Sequence, residues 1–572
     1  MPIRLIDTTT LRMKVFLGAK IPAYAILSHT WVEDEEVDFL EMNAILRDPQ
    51  HPATDKSGYE KIRATCREAK RHGISYAWVD TCSIDKSSSA ELTEAINSMF
   101  AWYRNAEVCF VFLSDVGPDS NILTTLQHCR WMTRGWTLQE LIAPRDLRFY
   151  NSAWEHVGSK MSLKQQIRDT TAINDEVLED CDALQDVPVA RRMAWASRRE
   201  TTRVEDIAYC LLGIFDVNMP LLYGEGDKAF IRLQEEIIRR SDDLSIFCNL
   251  PGFESLDQPP RPSTGTGDTR CLERYQDLFA TSPKDFSVCY DISRGEWSGL
   301  IHTFSSTNVG VRFENVRIHV AHTVSNLERR SFYILPLGHM SPHISCTLLL
   351  EKIGPKYFVR RNHFSATNQL RFEMTWAMPG EPQDLHIVSK LTPAIYRQIH
   401  SVNRYGIEIK IRGNTRGPAL SHERLYGTIE KAMPEDSWDA IGERFLVTMS
   451  AFRGYVKVRT GAANKIRDGV RVSYQQWFLG LKQDSRLGRT NFRGPLLKFL
   501  QFPDLAQEDE EQVAWDAMQE YGFDYAPCQL FLQALDAVLQ ARVERVQEVG
   551  DTRFRVVVDC DYASSRSQRR FK

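Results

Sequence analysis

The 572-residue chain has almost no net charge: 71 Lys and Arg stand against 75 Asp and Glu, a formal −4. A protein that neutralises a run of phosphates carries a basic face or a basic domain, so this balance argues against nucleic-acid binding. The basic stretch SSRSQRRFK at 564–572 reads as a frayed tail. The 12 cysteines are scattered, with Cys66 and Cys82 the closest pair, and no CxxC or Cys/His cluster has metal-ligand spacing. Neither a zinc site nor a disulfide framework is expected. The opening MPIRLIDTTTLRMK lacks the apolar stretch of a signal peptide, and no apolar run approaches the roughly 20 residues of a membrane span. A reduced, cytoplasmic setting follows as the expectation. Internal repeats are missing as well, which excludes propellers and solenoids.

What remains is an ordinary globular composition, 43% hydrophobic and 26% charged, in a chain long enough for two or three cores. The first 150 residues alternate two kinds of segment. YAILS (24–28), YAWVD (76–80), VCFVFLSD (108–115) and LRFY (147–150) are short, nearly continuous apolar runs, as strands covered on both faces require. Between them lie helices with start signals. Ser57 with Glu60, and Ser88 with Glu91, have capping-box spacing, and Gly73 supplies a stop. Alternation of this kind predicts an α/β fold with an open, doubly wound parallel sheet, whose ligands bind beyond the carboxyl ends of the strands. That rule selects Ser28, His29 and Trp31 after the first run, Asp80, Cys82 and Asp85 after the second, and Ser114 and Asp115 after the third.

From about 195 to 247 the chain reads as helical. Val204, Ile207, Ala208, Leu211, Leu212 and Phe215 share one face, and Ala229, Phe230, Leu233 and Ile237 another. The intervening Gly224 and Gly226 lack the Lys-Ser/Thr of a phosphate loop and read as a tight turn. PPRPSTGTGD (259–268) reads as a linker. Strand-like runs follow, VGVRFENVRIHV, SFYILPL, CTLLLEKI, LRFEMTW, LHIVSKL, GIEIKIRG and RFLVTMSAF, which predict a sandwich or barrel-like region. The last hundred residues mix helix-like DEEQVAWDAMQEY and QLFLQALDAVLQARVERVQEV with a strand-like FRVVVDCD. The expected organisation is therefore 1–180 α/β, 181–255 helical, 269–460 β-rich and 461–572 mixed α/β.

Three blocks carry a resemblance: YAILSHTW, then GISYAWVDTCSIDKSSSAELTEAINSMFAWYRNAEVCFVFLSDV, then RGWTLQELIAP. In order and in their Trp, Asp and Cys content they resemble the fungal heterokaryon incompatibility (HET) domain, over about 21–170. The stretch TTRVEDIAYCLLGIFDVNMPLLYGEGDKAFIRLQEEI resembles the segment that commonly follows this domain. Proteins of that family act in non-self recognition between fused fungal cells, and their HET domain is the effector of cell death. The resemblance implies such an effector here, with self-association or an allelic recognition protein as partner.

The strand order is also similar, more distantly, to that of TIR domains, which have a flavodoxin-like sheet and include enzymes that cleave nicotinamide from NAD+. In those enzymes a Trp-x-x-x-Glu pattern sets a catalytic Glu on a short helix after the third strand. Trp136 and Glu140 stand at that spacing, although Thr137 replaces the usual Cys. The similarity implies Glu140 as catalytic residue with Trp136 beside it and, by looser analogy, the strand ends near Ser28 and Asp80, with NAD+ as substrate and no resident cofactor; His29, Trp31, Cys82 and Asp85 join the expected ligand site by the strand-end rule. The chemistry is coherent: cleavage builds positive charge on the ribose, nicotinamide departs neutral, and one carboxylate can stabilise the transition state. Trp31 and Trp136 can stack on a ring, and helix N-termini facing the crevice can accept phosphate.

Structural readings stand beside these. A Trp and a Glu four apart share a helix face in any case, so Trp136 fits a core position and Glu140 fits as a partner of Arg134 or Arg145. Glu91 reads as a helix cap, Asp80 and Asp85 as loop-shaping acceptors, His29 as a hydrogen-bonded structural residue, and EDEEVD (33–38) as a solvated loop. On these readings the domain is a non-enzymatic signalling or self-association module.

Overall fold

The computed structural model describes residues 2–250, 275–293 and 303–361 with short breaks, then separate stretches between 378 and 562. The expected linker at 259–268, LRFEMTW, DEEQVAWDAMQEY and the basic tail lie outside the described residues.

The four apolar runs form β3 to β6 of a seven-stranded sheet: β1 (Pro2–Asp7), β2 (Met13–Leu17), β3 (Ala25–His29), β4 (Tyr76–Trp78), β5 (Val108–Phe112), β6 (Leu147–Tyr150) and β7 (His156–Ser159). Its order is β2-β1-β4-β3-β5-β6-β7. The middle four are mutually parallel. At the margins β1, β2 and β7 pair antiparallel, which corrects the expectation of a purely parallel sheet. PIRLID and MKVFL are short and charged, with β2 largely open to solvent, so neither shows the continuous apolar run of a doubly covered strand.

Seven helices accompany these strands: α1 (Phe39–Arg47), α2 (Ser57–Arg71), α3 (Asp80–Ser83), α4 (Ser89–Asn105), α5 (Ile122–Thr125), α6 (Arg130–Thr133) and α7 (Thr137–Ile142). Ile62 and Cys66 of α2 pack with Leu27, Ala77 and Phe112 on one sheet face. Ala95, Met99, Trp102 and Tyr103 of α4 pack with Ile26, Trp78 and Val111 on the other. The chain steps from β3 to β4 on one side, then back across β3 to β5. The strand order therefore reverses between β3 and β5, the place where open sheets of this kind hold their ligands.

The helix starts differ in part from those the spacing predicts. Ser57 is not a cap: its N–H is held by the Glu35 carboxylate at 2.9 Å, and Glu60 turns to Arg67. The capping box belongs instead to α1, between Asp38 and Glu41. EDEEVD is a turn with Glu33, Asp34, Glu35 and Asp38 exposed, as expected of a solvated loop, but Glu35, Glu36 and Asp38 also accept hydrogen bonds that shape it.

Five more helices follow: α8 (Lys164–Thr171), α9 (Asp175–Glu179), α10 (Val189–Ala196), α11 (Asp206–Tyr209) and α12 (Lys228–Ile238). Met193, Trp195, Tyr209, Leu212, Phe230 and Leu233 join the same core as Ile26, Met99 and Trp102. The helical segment is thus a further layer over the α4 face. Within the stretch expected to be helical from about residue 195, the chain leaves α10 and bonds to the α6–α7 turn, Gly135 N–H donating to Glu200 O at 2.8 Å and Glu200 N–H to Thr133 O at 2.7 Å. Val204 is left 54% exposed instead of lying on an apolar face. The approach is close enough that a Cβ on Gly135 would meet Thr201 at 2.5 Å, and one on Gly213 would meet Phe100 at 2.1 Å. Gly224 and Gly226 have φ of +102° and +60°, and their N–H groups donate to the Glu205 carboxylate at 2.7 and 3.1 Å. They form a tight turn, as expected.

In the β-rich part, Gly310–Val324, Arg329–Ser341, Ile344–Gly354, Tyr357–Arg360 and Met378–Val388 pair around a ring, with Thr303–Ser306 added at the margin of Gly310–Val324. Ile407–Gly413 pairs in parallel with Asp551–Tyr562, so strand pairing crosses residue 460. The helix-like run from Gln529 is instead a pair of strands, Cys528–Leu532 and Ala537–Glu548. Leu539 and Ala541 are buried while Gln540 between them is exposed. Their spacing satisfies either period over so short a span, and long-range pairing with 551–562 decides it. One cysteine expectation also fails: Cys248 and Cys346, 98 residues apart in sequence, form a disulfide. Pairing depends on adjacency in space, which scattered spacing does not display. Among the described residues no helix is long and apolar enough to cross a membrane.

Candidate functional site

Side chains of a strand alternate between faces, so Ser28 and His29 at the end of β3 serve opposite sides of the sheet. Ser28 is fully buried on the α4 side. It receives the indole N–H of Trp131 at 2.7 Å and donates in a very short hydrogen bond to the carboxyl of Glu140. Tyr103 of α4, whose hydroxyl donates to Leu27 O at 2.9 Å, closes the same space beside Glu140.

Glu140 is only 7% exposed. Burial pushes its carboxyl up to about 8; the hydrogen bond from Ser28, the neighbouring Tyr103 hydroxyl and the Arg199 charge oppose that rise, and the nearby Asp80 carboxylate adds to it. It pairs with neither arginine proposed for it. Arg134 reaches Thr202 instead, and no ion pair joins Glu140 to Arg134 or Arg145 among the described residues. Its position at the reversal of strand order is what the sequence anticipated; its seclusion is not.

The six-residue α7 is too short to hold itself and is fixed at both ends. Arg199, 3% exposed, donates to Arg134 O and to Thr137 Oγ1, each at 2.8 Å. Lys160, 2% exposed, donates to Leu141 O and Ile142 O at 3.3 Å and to Pro144 O. A cation at a helix carboxyl end satisfies its last carbonyls and its dipole. Burial lowers Lys160 to about 8. The abrupt end of RGWTLQELIAP is therefore a helix terminus capped by a distant lysine.

On the opposite face, the buried His29 is bonded at both ring nitrogens. Lys61 approaches Nδ1 at 3.2 Å, and Asp80 Oδ1 lies 3.0 Å from Nε2. Since an ammonium only donates, Nδ1 is the acceptor and Nε2 carries the hydrogen toward Asp80. Lys61 also bonds Thr30 O at 3.2 Å and the Glu36 carboxylate. Asp80 accepts from the Trp31 indole at 2.9 Å. Its burial disfavours ionisation, but the His29 hydrogen bond, with the Lys86 charge and the Trp31 indole, holds the carboxyl below its usual range. Trp31 is 45% exposed, with the Lys86 ammonium 3.7 Å above its ring.

The remaining candidates lie apart. Cys82 is fully buried, in the core around α2, where burial raises its thiol far above the ordinary value. Asp85 accepts from Ser87 N–H at 3.0 Å and Ser87 Oγ at 2.5 Å, a loop-shaping role. Trp136 precedes α7 and turns its indole N–H to Asp206 Oδ2 at 3.3 Å, away from the Ser28 partners of Glu140. Glu91 binds Arg4 at 2.6 Å and the Asp85 N–H at 2.9 Å, while Ser88 Oγ accepts from its N–H at 3.3 Å; it braces the loop and the helix start. Sequence reasoning missed Trp131, Tyr103, Lys61, Lys160 and Arg199, all buried and distant in sequence from the residues they serve.

Residues 24–125 match the family model described as heterokaryon incompatibility protein (HET). Residues 228–351 match one described as a domain of unknown function, DUF8212. The chain is similar to vegetative incompatibility protein HET-E-1 of Podospora anserina, 50% identical over 229 residues, which is 38% of this chain and 16% of that protein. It thus spans about a sixth of the length of the curated relative it matches. The matched length is more than double the 24–125 stretch, so the likeness reaches beyond it. No solved structure matches the chain.

Proposed function

From the premise that this chain carries a fungal HET domain, we propose that it acts in heterokaryon incompatibility as a cell-death effector, by cleaving NAD+ at the carboxyl edge of the N-terminal sheet. The relative's name, vegetative incompatibility protein, supports the biological half of this reading. The chemical half rests on one observation above the rest: Glu140, an acidic side chain bound to Ser28, lies where the strand order reverses. Ionised, it stabilises positive charge growing on the ribose as neutral nicotinamide leaves. Trp31 is the exposed ring able to stack on a base, and Lys86 and Arg130 near it suit a phosphate. Trp136, bonded to Asp206, is assigned to packing in this reading.

A second reading keeps an observation of its own. Glu140 is secluded beneath Trp131, as a residue serving only the fold would be, and the domain then signals by association with a second copy or a recognition partner. Incubating the full chain with NAD+ separates the two, in dilute and in concentrated samples. Release of nicotinamide, lost in Glu140→Gln, is the expected result. Absence of release in both samples removes the enzymatic reading and leaves the signalling one.

A further inference from the structure

We infer that Arg199, contributed by the helical segment and not by the matched HET stretch, is a positioning residue for Glu140. Resting on the enzymatic reading above for its role in catalysis, the inference itself concerns a chain of contacts. Arg199 Nη1 donates to Thr137 Oγ1 at 2.8 Å, and Thr137 Oγ1 lies 2.5 Å from Trp131 O. The Trp131 indole donates to Ser28 Oγ at 2.7 Å, and Ser28 bonds the Glu140 carboxyl. One guanidinium therefore fixes both the turn that starts α7 and the indole that roofs Glu140.

Its hydrogen bonds fix the start of α7, but a cation is an unfavourable group for that task. The guanidinium stands beside the amino end of α7, where the helix dipole opposes a cation. Nη2 is buried and has no hydrogen-bond partner among the described residues, and no carboxylate pairs with it there. A buried cation so poorly matched is costly, and burial lowers it to about 10. After the Cys210 and Cys129 thiols, the Glu140 carboxyl acts on it, and its own field favours the ionised Glu140 that the chemistry uses. The segment following the HET match thus completes the site. Gly135 permits this by letting 199–201 approach the α6–α7 turn.

The test uses the full chain with Arg199→Met, Arg199→Lys and Thr137→Val, the last removing the relay hydroxyl at constant shape. Hydrogen exchange of the Trp131 indole is read beside that of the β3 and β5 amides. In Arg199→Met and Thr137→Val the indole exchanges about tenfold faster while the strand amides keep their protection, and Arg199→Lys restores part of the difference. Nicotinamide release falls in kcat by a similar factor at unchanged KM. An unchanged indole rate in both Arg199→Met and Thr137→Val overturns the inference, as does a loss of strand protection in step with it. Should the wild-type chain release no nicotinamide, the enzymatic reading fails on that result alone, and the indole rates still decide the positioning.

Discussion

At pH 9, Glu140→Gln is expected to melt higher than the wild-type chain, and at pH 5 the two are expected to melt together. The reason is the direction of the Glu140 shift. Its folded value of about 8 lies above the ordinary 4.5, so the folded state holds this proton more tightly than the unfolded one. The stability gained is complete below pH 4.5, declines as pH rises toward 8, and is gone above it. A shift of that size corresponds to about 5 kcal/mol, and a difference in melting temperature of at least about 5 °C is expected after allowance for local relaxation. Lys160, also lowered to about 8, titrates in the same range, but it is common to both chains and cancels in the comparison. Glutamine keeps the shape and the bond to Ser28 without the buried charge. Scanning calorimetry from pH 5 to 9 reads the outcome directly; parallel pH curves for the two chains would place Glu140 in a solvated setting.

Cutting the chain after Asp180 has the larger effect. Residues 1–180 include every strand of the sheet, yet Met193, Trp195, Tyr209, Leu212, Phe230 and Leu233 complete the core over α4. Asn97 of α4 exchanges two hydrogen bonds with the Met219 backbone, at 3.2 and 3.1 Å, and Gly213 packs on Phe100. Burial of each large apolar side chain contributes about 1.5–3 kcal/mol, so removing six exceeds much of the roughly 5–15 kcal/mol by which a domain is stable. The fragment is expected to be insoluble or to lack a cooperative melting transition. A soluble fragment with a sharp transition would show that the later helices only decorate an independent unit.

Legibility in the sequence followed the range of the interaction. The four parallel strands announced themselves because each apolar run reports its own burial, and their order led to the carboxyl ends where Ser28, His29, Asp80 and Glu140 are found. The antiparallel strands did not, since Met13–Leu17 buries little. Inside the site, spacing put Trp136 and Glu140 on one face, but it could not say that Asp206 would claim the first and Ser28 the second. Arg199 and Lys160 were silent for the same reason: a buried cation that pairs with carbonyls leaves no periodic mark. The acidic run told only of its exposure, because Glu35 and Glu36 find partners more than twenty residues away, in Ser57 and Lys61. The strand pair at 528–548 misled because partners as far as residue 562 decided between two periods.

The most direct measurement follows NAD+ content and viability together in fungal cells after induction of the full chain or of Glu140→Gln. With the wild-type chain NAD+ is expected to fall before viability does, and with Glu140→Gln neither is expected to change. Loss of viability at undiminished NAD+, or equal toxicity of the two chains, would contradict the account.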